Sequence, residues 1–213
     1  MKYKNNHIKI IRVIVLLFIF QIPFSNAQNL ENSEFKIVPF GEGGTKKMTY
    51  DRRQRPQAVL MGDEIHLVYN GGASADAKKL ERTVPFATMY NLITGKFSDL
   101  VQLTEVASKD HHYGPIIWAD NNDYLHVLSG CHLTPGTHVI SKKPASTGTS
   151  IMDWEIAPEI APSLSYPSIS HIFDKQQLMY YRTGGHRSSW TYRITSDEGK
   201  TWRTPINSVT DLN

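Results

Sequence analysis

Residues 114–130 read GPIIWADNNDYLHVLSG: a proline, a short apolar run, a polar turn, a second apolar run and a closing glycine. Short apolar runs bounded by turn residues fit buried strands, and two such runs in succession fit a β-hairpin. The same order of parts occurs twice more, as RPQAVLMGDEIHLVYNGG at 55–72 and YPSISHIFDKQQLMYYRTGG at 166–185. The prolines that open the units, Pro56, Pro115 and Pro167, lie 59 and 52 residues apart.

A second element follows each hairpin. Residues 89–100 read MYNLITGKFSDL, a strand, a Thr-Gly-Lys turn and an aromatic residue. Residues 192–202 read YRITSDEGKTW, which fits the Asp-box pattern S-x-D-x-G-x-T-W with one residue fewer between Ser and Asp. In such a turn the Asp side chain accepts backbone N–H groups, the glycine takes φ > 0 and the aromatic pins the turn to its sheet. Phe97, Trp154 and Trp202 are expected in equivalent places, 57 and 48 residues apart. Units of about 50 residues with about four strands each are the mark of β-propeller blades. The expectation is an all-β chain of three to four propeller blades. A β-sandwich is the competing architecture, and the fixed order of proline, hairpin and glycine at one period argues against it.

The N-terminus has a different character. Lys2, Lys4, Lys9 and Arg12 precede the unbroken apolar run 13–20, and Ser25-Asn26-Ala27 supplies small residues at a cleavage position. Residues 1–27 therefore read as a secretory signal peptide, with 28–213 as a partial propeller domain. The apolar run is too short for a membrane span, which needs about 20 residues. Secreted or periplasmic export follows. The formal charge of +3 belongs to the leader, which holds four of the 23 basic residues and no acidic one. The remainder is nearly neutral, so nothing supports a nucleic-acid partner. With one cysteine, Cys131, no internal disulfide can form, and stability must come from a hydrophobic core. The number of expected blades is small for a closed ring, which normally has about 4–8. The expectation is a truncated chain that needs missing C-terminal blades or self-association.

The hairpin reading brings chemistry together. His112 stands just before one hairpin and His132 just after it, so the two imidazoles should meet at one rim, whereas His126 falls mid-strand and reads as a packing residue. In the next unit Tyr166 and Arg182 hold the corresponding rim. Two imidazoles, a phenol and a guanidinium suit β-elimination on a uronic acid. The proton beside the carboxylate is weakly acidic, and donors on the carboxylate stabilise the enolate-like state. Arg182 suits the carboxylate as a planar, permanent cation. Tyr166 suits proton transfer, with His112 and His132 as further donors or proton carriers. His111, Tyr113, His186 and Arg187 are expected to extend the site toward substrate. No HExxH motif or close His/Cys/Asp cluster supports a catalytic metal. No cofactor is implied, and a structural metal ion stays open.

The HHYGP…SGCH block, the SYP…YYR block and the Asp-box together resemble the BNR-repeat propeller group that contains the ulvan lyases of polysaccharide lyase families 24 and 25. The resemblance runs from about residue 40 to the end. It implies a seven-bladed propeller and cleavage of a uronate-containing sulfated polysaccharide by β-elimination. It also implies that a histidine pair about 20 residues apart, then a tyrosine, then an arginine, form the catalytic set. Here His112 and His132 are 20 apart, and Tyr166 and Arg182 are 16 apart. Two alternatives remain: an oligosaccharide dehydratase on the same fold, and a non-catalytic, truncated carbohydrate-binding propeller.

Overall fold

The computed structural model describes residues 37–41, 54–72, 83–105, 111–173 and 175–204. Two compact units are present, Met1–Pro39 and Phe40–Asn213, and all the strands belong to the second. The expected signal peptide at 1–27 lies outside the described residues.

The strands form three antiparallel sheets. In the first, β1 (Ala58–Met61), β2 (Glu64–Gly72), β3 (Thr83–Asn91) and β4 (Lys96–Phe97) pair in that order, and β5 (Val101–Gln102) also pairs with β3. The second sheet has the order β10-β9-β7-β6, from β6 (Ile116–Ala119), β7 (Leu125–Ser129), β9 (Thr137–Ser141) and β10 (Trp154–Ile156). The third has the order β13-β12-β11-β8, from β8 (His132–Thr134), β11 (Leu164–His171), β12 (Gln177–Arg182) and β13 (Trp190–Thr195). The three hairpins expected from the repeats are β1–β2, β6–β7 and β11–β12.

Two details differ from the sequence expectation. Pro56 and Pro115 precede their strands, but Pro167 lies inside β11, where the register with β12 shifts between Ser165 and Ser168. A proline has no N–H to give to the ladder, so a bulge is where it can sit within a strand. The chain also crosses between sheets at β8, which lies between β7 and β9 in sequence yet pairs with β11 of the third sheet. A three-residue strand carries no periodicity from which this crossing could be read.

Packing follows from the apolar runs. One core joins Val68, Ala87 and Val101 of the first sheet to Ile117, Leu125, Val127 and Val139 of the second. Another joins Ile116, Trp118 and Leu128 of the second sheet to Leu164, Ile169, Met179 and Tyr181 of the third. The middle sheet is thus covered on both faces. This is why β6 and β7 read as near-continuous apolar segments rather than alternating ones.

The Asp-box forms as its chemistry requires. Asp197 accepts hydrogen bonds from Thr201 N (2.9 Å), Thr201 Oγ1 (2.6 Å) and Thr195 Oγ1 (2.8 Å). Trp202 Nε1 donates to Gly199 O at 3.1 Å. The second sheet has a matching turn, in which Trp154 Nε1 donates to Thr147 O at 2.9 Å. Phe97 instead stacks on Phe40 and meets Tyr90 at a tilt.

His126 is fully buried, and it resolves its polar cost inside a small network. Its Nδ1 is 3.0 Å from His138 Nε2, its Nε2 is 3.4 Å from Asp120 Oδ2, and both imidazoles stack on Trp118. His138 Nδ1 in turn lies 3.2 Å from Pro158 O. Buried polar groups are tolerated when partnered in this way. Burial, with the neighbouring His126 charge, pushes the His138 pKa down to about 3, so that ring stays neutral.

Candidate active site

The site is assembled by three backbone devices. A 3-10 turn, His111–Tyr113, delivers His112 to the start of the β6–β7 hairpin, and Gly130 N closes that hairpin onto Tyr113 O at 3.2 Å. β8 carries His132 across to the third sheet, where it pairs with Ser165. The bulge in β11 puts Tyr166 in the left-handed region at φ 57°. A bulky residue at positive φ is a backbone outlier, and such strain gathers at functional positions.

These devices converge. The His112 and His132 ring centroids are 4.4 Å apart. The Tyr166 ring lies 5.4 Å from His112, edge to face, and 5.9 Å from His132. Arg182 pairs with Ser165 across β11–β12 and places its guanidinium carbon 4.5 Å from the centre of the Tyr166 ring. The four residues expected to work together are therefore one cluster. The two imidazoles are half-buried, while Tyr166 is only 1% exposed and Arg182 only 7%. The two imidazoles are thus the more accessible members of the cluster, with the phenol and guanidinium beneath them.

Arg182 Nε donates a hydrogen bond to Gly184 O at 3.1 Å. Its Nη2 is buried and has no hydrogen-bond partner among the described residues. An unsatisfied donor of a buried cation costs free energy that a carboxylate can recover through a charge-assisted bond.

The expected outer residues divide. Tyr113 lies edge-on to His132, with centroids 6.4 Å apart, and so belongs to the cluster's margin. His186 and Arg187 are exposed in the turn between β12 and β13, and no hydrogen bond, ion pair or ring contact ties either to the cluster among the described residues. His111 sits in the same 3-10 turn as His112. Cys131 is fully buried, and burial drives its thiol far above the usual range, which makes it a packing residue. No group of three or more His, Cys, Asp or Glu residues that would hold a metal occurs among the described residues.

Sequence reasoning missed Gln54 and Trp190. The Gln54 side-chain amide donates to the His112 carbonyl, and Gln54 is fully buried. Trp190 lies 6.5 Å from Tyr166 and stacks on Tyr180 at 4.9 Å. A signal for Gln54 was present. It stands two residues before Pro56, as Tyr113 stands before Pro115 and Ser165 before Pro167.

The fold and the cluster can now be set beside known proteins. No family model matches the chain. An ulvan lyase of Alteromonas sp. (strain LOR) is 25% identical over 177 residues, 72% of this chain and 34% of its own length. An ulvan lyase of Nonlabens ulvanivorans is 26% identical over 201 residues, 83% of this chain and 40% of its own. This chain is similar to ulvan lyases. Among solved structures, a family PL25 ulvan lyase bound to -[GlcA(1-4)Rha3S]- matches with a TM-score of 0.65 at 21% identity, over 81% of this chain and 41% of that chain. The polysaccharide lyase Uly1 matches at 0.51 with 11% identity, over 80% of this chain and 42% of that chain. The chain therefore has the fold of the corresponding part of these lyases. It spans 34% and 40% of the lengths of the two curated relatives.

Proposed function

We propose that this chain provides the catalytic cluster of a secreted or periplasmic polysaccharide lyase that cleaves a uronate-containing sulfated polysaccharide of the ulvan type by β-elimination. The three sheets are read as consecutive blades of a β-propeller. The observation that carries the reading is the contact of Tyr166 with both imidazoles and with the Arg182 guanidinium. The similarity to ulvan lyases supports it independently.

In the reaction, Arg182 takes the substrate carboxylate on its Nη2, which has no hydrogen-bond partner among the described residues, and His112 or His132 donates a second hydrogen bond to it. Neutralising the carboxylate stabilises the carbanion formed at C5. The C5 proton passes to a base of the cluster, Tyr166 or an imidazole. The electron pair left at C5 forms the C4–C5 double bond, and the bond from C4 to the glycosidic oxygen breaks. That oxygen leaves with its electron pair and takes a proton from an acid of the same cluster. His111, Tyr113, His186 and Arg187 are the proposed substrate contacts around it.

The test is to incubate the full chain with ulvan and follow the ultraviolet absorbance of the unsaturated uronate. A rise in absorbance with shortening of the polymer supports the lyase. A rise without shortening points to a dehydratase. Saturable binding with no rise points to a non-catalytic carbohydrate-binding propeller.

A further inference from the structure

His66 in β2 and His126 in β7 hold the same place in their hairpins. His66 opposes Val59 and His126 opposes Trp118, and each of those partners stands three residues after a repeat proline. Each imidazole also faces the aromatic-anchored turn of the following sheet. At His126 the fit is closed, since a Cβ on Gly199 would come within 3.0 Å of the ring. At His66 the equivalent space is open. A cavity of about 330 Å³ lies there, lined by Glu64, Ser98, Lys143, Thr149 and Asp153 as well as His66.

His66 is 1% exposed, and neither ring nitrogen has a hydrogen-bond partner among the described residues. The nearest charge, Glu64 Oε2, is 3.7 Å from its Nε2. Burial lowers the His66 pKa, with Glu64 opposing only in part, so the ring is neutral near pH 7. A neutral imidazole offers one donor and one acceptor. Two unmet hydrogen bonds at the wall of a cavity call for a ligand that can both donate and accept a hydrogen bond.

The walls narrow the choice. The carboxylates of Glu64 and Asp153 oppose an anion such as sulfate, and the Lys143 ammonium opposes a cation. The rest of the lining mixes the hydroxyl residues Ser98, Ser146, Thr147 and Thr149 with the apolar Met89 and Ala145, so a purely apolar ligand is also a poor match. We propose that this cavity is a second carbohydrate site, one that takes the hydroxyl edge of an uncharged sugar unit. It lies at the turn end of the first two sheets, where β1 passes into β2 and β9 into β10. The His112–His132 cluster lies at the opposite strand ends. The site could therefore hold a glycan chain without taking part in its chemistry.

The experiment is a titration of the full chain, ¹⁵N-labelled at histidine, with D-xylose, L-rhamnose and, separately, sodium sulfate, following the imidazole resonances. The expected result is a saturable shift of the His66 ring with a neutral sugar and none with sulfate. The shift should persist in Arg182→Ala, which keeps this result separate from the fate of the lyase assignment. Lys143→Trp, an exposed substitution that fills the cavity mouth, should weaken the sugar response at least tenfold, and His66→Phe should abolish saturable binding. No shift with either sugar, a response to sulfate, or full binding by Lys143→Trp would each overturn the proposal.

Discussion

Arg182 lies across the face of Tyr166, its guanidinium carbon 4.5 Å from the ring centre, on strands that pair directly. The stacking sets the direction in which the guanidinium fork points, and that is why lysine is not an equivalent here. Replacing Arg182 with Ala should lower kcat/KM for elimination by about 100- to 1,000-fold, the usual cost of one oxyanion-stabilising donor. Arg182→Lys should recover part of the loss through charge alone. Initial rates of unsaturated-product formation decide this, and wild-type rates in either variant would remove Arg182 from the site.

Tyr166 touches more members of the cluster than any other residue, and its backbone is held at φ 57°. Tyr166→Phe keeps the ring, the packing and the backbone while deleting the hydroxyl. Elimination should fall by about 100- to 10,000-fold if the phenol carries a proton in the reaction. Stability should change by no more than about 1.5 kcal/mol, the scale of one hydrogen bond. A denaturant titration run beside the rate measurement separates the two effects, and a large stability loss with an unchanged rate per folded molecule would make Tyr166 structural.

Acid should unfold this protein earlier than its carboxylates alone require. Burial lowers the pKa of His138 to about 3 and lowers that of His66 as well. In the unfolded chain both titrate near the ordinary value of 6.5. Between pH 6.5 and about 3 the unfolded state binds a proton that folded His138 does not, so stability falls as pH falls. The slope from one such group is about 1.4 kcal/mol per pH unit. Asp120 and Asp197 act later. Burial alone would raise both, but hydrogen bonds outweigh it and hold them below 3.8, so their contribution is lost only below that pH. Thermal midpoints measured from pH 7.5 to 4.5 should therefore drop, and His138→Phe should flatten the profile. A flat profile in the parent would contradict the buried, neutral state of His138 and His66.

The hairpins and the meeting of His112, His132, Tyr166 and Arg182 were legible because both are local. A proline, a turn and a glycine fix where a hairpin begins and ends, and two ends of one hairpin must be neighbours. That logic places His112 beside His132, and the repeat places Tyr166 and Arg182 on one strand pair. It does not reach β8, whose transfer to the third sheet depends on the pairings of Thr134 with Leu164 and His132 with Ser165, far apart in sequence. Nor does it reach the His126–His138 pair. Their 3.0 Å contact crosses between neighbouring strands, and each histidine alone looks like an ordinary polar interruption. Exposure also lay beyond it, since the sequence shows His186 and Arg187 near the site but not that their turn faces solvent.

The junction between the second and third sheets supplies the last prediction. Gly199 takes φ 76°, which strains any residue with a side chain, and a Cβ there would press on His126 at 3.0 Å. The same turn is tied to the second sheet from outside, where Glu198 accepts from Asn121 N at 3.0 Å. Gly199→Ala should therefore cost about 1–3 kcal/mol, from the backbone region and from displacement of the buried imidazole. Glu198→Gln, which keeps the shape and loses one charge, should cost less than about 1 kcal/mol at this half-buried surface position. Chemical denaturation of the two variants tests the order. If Glu198→Gln proved the more damaging, the turn would be held by its surface contacts rather than by its fit against His126.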